Sequence, residues 1–250
     1  MKATIFSFLA LLSAPFVGAQ YHIVQDPGGF VNVRETGGTD GKIICQLNNG
    51  TVVFQGLTED PADTKWIFVQ FYLSKNQAQK INAKAEEWMP EVMNGYTLFS
   101  GYIYKDRLFN LEERPALKRK QSETELLLFN DSVRIKFSAA GFQKQKHKIT
   151  TEENIVTKID GHYFMGTDGS MPRHEIKTFT VEVHDKKIEI PRKSFLDLYE
   201  PNFWGMNGYF DTKGNLYIVM YNSDAAGSYS ALFVIKDGKY ITRYVFAGDC

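Results

Sequence analysis

Residues 30–34 read Phe30-Val31-Asn32-Val33-Arg34, and residues 101–108 read Gly101-Tyr102-Ile103-Tyr104-Lys105-Asp106-Arg107-Leu108. In both stretches the side chains alternate in character with a period of two, which is typical of a β-strand with one buried face. Gly28-Gly29 precedes the first stretch and marks a turn before it. The two stretches therefore predict strands of one small sheet, although they lie far apart in the chain.

Three further runs between them also predict strands. Residues 42–47 and 51–54 are mostly apolar and flank Asn48-Asn49-Gly50, a hairpin signal because glycine tolerates positive φ. Residues 66–72 form the third run. Short strands with tight turns suit a small barrel, which removes exposed strand edges by closing on itself.

Residues 74–89 have a helical pattern instead. They contain no Gly or Pro, are rich in Ala, Lys, Gln and Glu, and end before Pro90. Ser74 suits an N-cap, and a proline disfavours helical conformation at the residue before it. The apolar residues recur every three or four positions. We predict a helix whose apolar stripe packs on the barrel or on the rest of the chain, with a partner-docking helix as the alternative.

Part of residues 26–108 resembles a bacterial SH3 domain. The matching positions are Asp26, Gly28, Asn32-Val33-Arg34, Ile43-Ile44, Leu47, Gly50, Val52-Val53, Trp66, Val69, Gly101-Tyr102-Ile103 and Arg107-Leu108. Members of this family look like non-enzymatic modules that recognise peptide or cell-wall material in exported proteins. The resemblance therefore implies a small barrel with a binding role, here interrupted by the helical insertion.

A small filled barrel has little interior space, so recognition must use surface rings and loops. Aromatic rings give a large contact area at a low entropic cost. The candidate ligand-binding residues of this domain are Arg34, Trp66, Tyr72, Tyr102 and Tyr104. A core position for Trp66, and a bracing role for Arg34 at the neighbouring turn, are the alternatives.

The N-terminus predicts export. Met1-Lys2, an apolar run over residues 5–12 and small residues before the end of the segment have the layout of a signal peptide, residues 1–19, cleaved near Ala19. The run is too short and interrupted for a transmembrane anchor. We expect a periplasmic or secreted chain without stable membrane insertion. The balance of 29 basic and 29 acidic residues argues against nucleic acid as a partner.

The chain has two cysteines, Cys45 and Cys250. A lone pair in an oxidising compartment is often joined, so a Cys45–Cys250 disulfide is expected. The alternative is a buried thiol at Cys45 and a frayed terminus at Cys250.

Residues 112–123 form a charged stretch that predicts a linker between a first domain, residues 20–111, and a second, residues 124–250. Four pairs of apolar runs then flank short polar turns and predict antiparallel hairpins: 125–129 with 132–137, 177–184 with 188–190, 208–210 with 215–221, and 230–236 with 239–246. The expected fold is mainly β, with an N-terminal SH3-like barrel, an inserted helix and a second β-rich domain of antiparallel hairpins.

A polar loop at residues 222–229 is the candidate site of the second domain. Its small residues let backbone amides converge on an anion or a polar ligand. The candidate ligand-binding residues here, with Arg243 added, are Asn222, Ser223, Asp224, Ser228 and Tyr229. A loop satisfied by its own side chains is the alternative.

No pattern of catalysis, metal binding or cofactor binding is present. There is no Gly-x-Ser-x-Gly elbow, and the five histidines lack the spacing of a zinc site. We predict a non-catalytic binding protein of the bacterial cell envelope whose ligand is a protein, a peptide or peptidoglycan. An immunity or inhibitor protein against a periplasm-acting toxin is a specific version. The alternative is a cell-wall or peptide hydrolase in which Asp224, Glu200 and a histidine cluster.

Overall fold

A computed structural model describes residues 20–55, 65–81, 85, 95–222 and 227–247. The expected signal peptide, residues 1–19, lies outside this described part. The fold is mainly β, with antiparallel sheets, as the sequence predicts. No helix among the described residues has the length and apolar character needed to cross a bilayer.

The first sheet has seven strands in the order β3-β2-β6-β5-β4-β1-β7 and curls into a half-barrel. Its apolar inner face includes Val33, Val69, Phe71 and Ile103. The strands are β1 (Gln20–Val24), β2 (Phe30–Arg34), β3 (Ile43–Asn48), β4 (Val52–Gln55), β5 (Trp66–Ser74), β6 (Tyr96–Tyr104) and β7 (Leu108–Asn110).

The two sequence stretches that predict one sheet are neighbours in it. Arg34 of β2 lies opposite Tyr102 of β6, and Trp66 of β5 lies opposite Tyr104. The approach of β2 to β6 requires glycine at position 101, because a Cβ there would lie 2.6 Å from Val33 Cγ1.

The predicted hairpin between β3 and β4 is wrong. Both strands form, but β3 pairs with β2, whereas β4 pairs with β1 and β5. The Asn49 N–H donates to the Gly29 carbonyl and the Gly50 N–H donates to Val24, each at 2.9 Å. These bonds carry the chain across to β1 instead of folding it back on β3.

In the described part of residues 74–89, where the sequence predicts a helix, only the start is helical. Helix α1 spans Lys75–Ala78 with Ser74 as its N-cap, and the Ser74 N–H donates to Gln77 Oε1 at 3.1 Å. Beyond it, the Ile81 N–H donates to the Ala78 carbonyl three residues back, so the α-helical pattern ends there. Residues 82–84 and 86–89 lie outside the described residues. Ala78, Ile81 and Ala85 pack against the inner face of the half-barrel.

The rest of the chain forms two larger sheets, β14-β13-β10-β9-β8 and β15-β16-β17-β18, and the pair β11-β12. Single 3-10 turns lie at Lys105–Arg107, Lys144–Lys146, Arg192–Ser194 and Phe203–Gly205. The strands are β8 (Lys118–Gln121), β9 (Glu125–Phe129), β10 (Val133–Gly141), β11 (Ile149–Glu152), β12 (Ile155–Ile159), β13 (His174–Val183), β14 (Lys186–Ile188), β15 (Met206–Phe210), β16 (Leu216–Asn222), β17 (Tyr229–Lys236) and β18 (Lys239–Ala247).

The four strand pairings predicted for this part are confirmed: β9 pairs with β10, β13 with β14, β15 with β16, and β17 with β18. In the second pair, β14 begins at Lys186, two residues earlier than predicted. The stretch predicted as a linker is not a simple connection between domains, because β8 forms within it and pairs with β9. The Arg119 guanidinium also donates to the carbonyls of Phe203 and Met206 at 2.9 and 2.5 Å. Residues 118–121 therefore belong to a sheet.

The four-stranded sheet lies between the other two large sheets. Its strand β17 is buried on both faces, which explains its unbroken apolar run. The Tyr21 hydroxyl of the half-barrel donates to Ser230 Oγ at 3.0 Å, and on the other side Phe233 meets Phe179 edge to face at 4.9 Å between centroids. Residues from both predicted domains thus contribute to one hydrophobic core.

Candidate functional site

Four aromatic side chains form a partly exposed cluster on the outer face of β5 and β6, which we call the aromatic ladder: Trp66, Phe68, Tyr102 and Tyr104. Trp66 meets Tyr104 edge to face at 5.6 Å between centroids, and Phe68 meets Tyr102 in the same way at 5.3 Å. Both are direct cross-strand pairs. The two-residue period places all four rings opposite the apolar inner face.

Arg34 supports the ladder from the neighbouring strand. Its guanidinium donates to the Gly41 carbonyl at 2.5 Å and lies 5.9 Å from the centre of the Trp66 ring. Gly37, in the loop that Arg34 holds, is so close that an added Cβ would lie 3.3 Å from Trp66 Cβ. These contacts match the bracing role more closely than a free carboxylate-binding group.

Tyr72 lies on the same strand face but outside the ladder. It is buried, and its hydroxyl donates to the Val245 carbonyl at 2.7 Å. Its ring packs on Tyr244 and Phe246 of β18, with centroids at 6.4 and 5.0 Å. Burial raises the pKa of Tyr72 above its ordinary value. Its role as a surface ligand contact does not fit this position, because β18 covers this end of the face.

The second predicted site is brought together only in part. Ser223 and Asp224 lie outside the described residues. Asn222 and Tyr229 are buried, and the Asn222 side-chain amide donates to the Tyr229 hydroxyl. That hydroxyl donates to the Tyr199 carbonyl at 3.0 Å, while Asn222 Oδ1 accepts from the Asn202 N–H at 2.7 Å. Ser228 is also buried. The described part of this site is therefore satisfied internally.

Arg243 holds a different part of the chain. It forms a two-bond pair with Asp197, with nitrogen–oxygen distances of 2.5 and 2.6 Å, and it donates to the Ser194 carbonyl at 2.9 Å. Both side chains are almost entirely buried. The pair fastens the segment around Ser194 to β18.

Cys250, one partner of the expected disulfide, lies outside the described residues. Among the residues that are described, Cys45 is a free thiol at a partly buried position of β3. Burial raises the pKa of the Cys45 thiol to about 11. The thiol is therefore protonated and a poor nucleophile near neutral pH.

Of the residues named for the hydrolase alternative, Glu200 and one histidine lie close together in the described part of the chain. Glu200 lies near His174, with Oε2 at 3.2 Å from Nδ1, but this histidine is more than half exposed. The same carboxylate accepts the backbone N–H groups of Arg173 and His174 and so holds the start of β13. Asp224 lies outside the described residues. Within the described ranges, no three His, Cys, Asp or Glu side chains are arranged to hold a metal ion.

One cleft was missed by the sequence reasoning. It is lined by polar side chains from residues 147–199, which lie on separate elements. A local signal was present, since His147 and Asp160 flank the β11–β12 hairpin and lie 2.8 Å apart. The other lining residues are His162, just after β12, residues of β13 and residues of the segment that follows β14, and no local pattern joins all of them.

The comparisons with known proteins add no relative. No family model matches the chain, and no curated protein and no solved structure is significantly similar to it.

Proposed function

We propose that this protein is an exported, non-catalytic binding protein of the bacterial cell envelope that holds a partner protein on the aromatic ladder. The signal-peptide pattern and the SH3 resemblance of the first part support this role. The proposal is carried by one observation: four rings on two adjacent strands stay partly exposed on a face whose other end is covered by protein.

The ladder's surroundings indicate what it holds. Arg34 is engaged with Gly41, and beside it lie the neutral amides of Asn32 and Gln46, whose side chains are joined at 3.1 Å. Exposed Lys65 and Lys105 flank the Trp66–Tyr104 pair at the end of the ladder. The surface thus offers apolar area and hydrogen-bonding groups, with two lysines at its edge. A polypeptide segment with apolar side chains matches this chemistry, and rigid aromatic anchors of this kind dominate protein interfaces. The immunity or inhibitor role is the version in which that segment belongs to a toxic enzyme.

A capture experiment on an envelope extract tests the proposal. The wild-type protein is compared with a Trp66→Ser/Tyr104→Ser variant and with Trp204→Ser. The last is a matched control, because Trp204 is 74% exposed but lies far along the chain on a 3-10 turn. Captured proteins are identified by mass spectrometry, and binding to purified peptidoglycan is measured in parallel.

We expect a protein partner that the wild-type and Trp204→Ser proteins retain and that the ladder variant loses. Retention on peptidoglycan with no protein captured would contradict the proposed ligand class. Equal capture by the ladder variant and the wild type would show that the ladder is not the binding surface.

A further inference from the structure

The polar cleft is lined by residues between positions 147 and 199, outside the strands of the half-barrel. It encloses about 100 Å³ between the turn after β12, the start of β13 and the segment 192–199. Its polar lining residues are His147, Asp160, His162, Glu175, Arg192 and Tyr199. None of them takes part in the aromatic ladder.

The cleft holds two carboxylates that are fixed in position by His147. The His147 ring lies between two carboxylates, with Nδ1 at 2.8 Å from Asp160 Oδ2 and Nε2 at 3.5 Å from Glu175 Oε2. Asp160 also accepts the Lys148 N–H at 2.8 Å, and the His147 ring is stacked on Phe142 at 4.5 Å. The carboxylates are thus oriented before any ligand arrives, which lowers the cost of binding a cationic group.

The cleft lining also supplies donors. Tyr199 is 3% exposed, and its ring is held edge to face by Phe142 and Phe164. Its hydroxyl has no hydrogen-bond partner among the described residues, although the ring lines the cleft. Burial, with Asp160 and Glu175 nearby, raises the pKa of Tyr199, so the hydroxyl keeps its proton. Arg192 is exposed and forms no hydrogen bond or ion pair from its guanidinium within the described part.

We propose that this cleft binds a small zwitterion of the amino-acid class, with the ligand ammonium group near Asp160 and Glu175 and its carboxylate near Arg192. An anion alone would meet two carboxylates, and a cation alone would make no use of the guanidinium of Arg192. A ligand with both charges can pair with both kinds of group. The apolar lining of the cleft, Ile176, Phe195 and Leu196, accommodates an aliphatic side chain.

Ligands with one charge removed test the proposal. The standard amino acids are screened singly by thermal shift at about 10 mM, a concentration that reveals millimolar binding. The best binder is then compared by calorimetry with its amide, which lacks the carboxylate, and with its N-acetyl derivative, which lacks the ammonium group. Because each derivative loses a charge-assisted hydrogen bond, we expect it to bind roughly tenfold or more weakly.

Two variants assign the charges to residues. Arg192→Gln should weaken binding of the amino acid roughly tenfold and leave the affinity for its amide unchanged. Glu175→Gln should also weaken binding of the amino acid roughly tenfold and leave the affinity for the N-acetyl derivative unchanged. Lys193→Gln and Glu189→Gln are the matched controls, because both residues are exposed and lie outside the cleft lining. Failure of every amino acid to bind would overturn the proposal. Equal binding of the derivatives, or equal losses in the controls, would do so as well.

Discussion

The outer face of β5 and β6 has two ends with the same alternating pattern and different surroundings. At one end, Tyr72 and its cross-strand partner Leu98 are buried in the core beneath β18. At the other end, Trp66 and its partner Tyr104 remain partly exposed. Alternation decides which face a ring occupies, whereas the neighbouring sheet decides whether that ring is core or surface.

The covered end joins the two halves of the chain. Phe54 of β4 stacks on Phe246 of β18 with centroids 4.6 Å apart. The buried hydroxyls of Tyr21 and Tyr72 each donate to a residue of the four-stranded sheet, as buried polar groups require. The open end has no such cover among the described residues, and this difference makes the ladder the candidate binding surface.

The largest effect is expected at the covered end. Phe246→Ala removes a fully buried ring from the joint, and a truncation of this kind costs about 3–5 kcal/mol of unfolding free energy. Urea denaturation followed by circular dichroism measures the loss. Trp204→Ala, at an exposed ring, should change stability by less than about 0.5 kcal/mol. A loss below about 1 kcal/mol for Phe246→Ala would mean that this contact does not join the halves.

A smaller loss is expected where β2 approaches β6 beneath the ladder. In Gly101→Ala, the new methyl group would lie 2.6 Å from Val33 Cγ1 and 2.9 Å from the Arg34 carbonyl oxygen. Overpacking of this kind costs about 1–3 kcal/mol. Gly141→Ala is the matched control, since its added Cβ would meet no atom within 4 Å. Equal melting temperatures for the two variants would contradict the close approach of these strands.

The two ends can be compared directly by removing one hydroxyl from each. Tyr72→Phe deletes the bond to the Val245 carbonyl and leaves a buried acceptor unpaired, at a cost of about 1–2 kcal/mol. Tyr104→Phe deletes a hydroxyl from a partly exposed ring and should cost less than about 0.5 kcal/mol. Denaturation curves of both variants measure the difference. A loss at Tyr104 equal to that at Tyr72 would erase the distinction between the ends.

The smallest effect concerns pH. Burial raises the pKa of Glu112, whose carboxylate accepts the Tyr221 hydroxyl across the joint. The folded protein therefore binds this proton more tightly than the unfolded chain does. The resulting stabilisation is complete below the ordinary pKa of 4.5 and is lost as the pH rises through the raised folded pKa.

Glu112→Gln removes this titration and keeps an acceptor for Tyr221. We expect the wild-type protein to lose stability relative to this variant as the pH rises above about 4.5, measured by unfolding at several pH values. Glu113→Gln, at the exposed neighbouring residue, should follow the wild type. Parallel pH profiles for the wild type and Glu112→Gln would show that this carboxyl does not titrate differently in the folded state.

Local patterns predicted much of the secondary structure because strand and turn signals act over a few residues. Four hairpins of the second half, including β17–β18 around Asp237-Gly238, follow directly from such signals. The pairing of strands that lie far apart in the chain did not follow from these local signals. The turn at Asn49-Gly50 suggested that β3 and β4 pair, but contacts with Gly29 and Val24 direct β4 to β1. Lysines suggested a linker at residues 118–121, although charged residues also suit an edge strand.

The candidate sites show the same limit. Alternation correctly placed Tyr102 and Tyr104 on one face. The choice of aromatic rings as surface contacts also included Tyr72, because nothing local to β5 reveals that β18 covers that position. The polar cleft could not be assembled from sequence, since His147, Glu175 and Tyr199 come from separate elements. Their proximity results from sheet packing.

Affinity and stability measured together on matched variants test the central distinction most directly. With the captured partner, calorimetry is performed on Tyr102→Ser/Tyr104→Ser and on Tyr72→Phe, and each protein is also unfolded in urea. We predict that the first variant binds at least about tenfold more weakly while losing no more than about 1 kcal/mol of stability. Tyr72→Phe should be destabilised with unchanged affinity. Unchanged affinity in the first variant would contradict the account. Weakened affinity of Tyr72→Phe, measured where this variant is fully folded, would also contradict it.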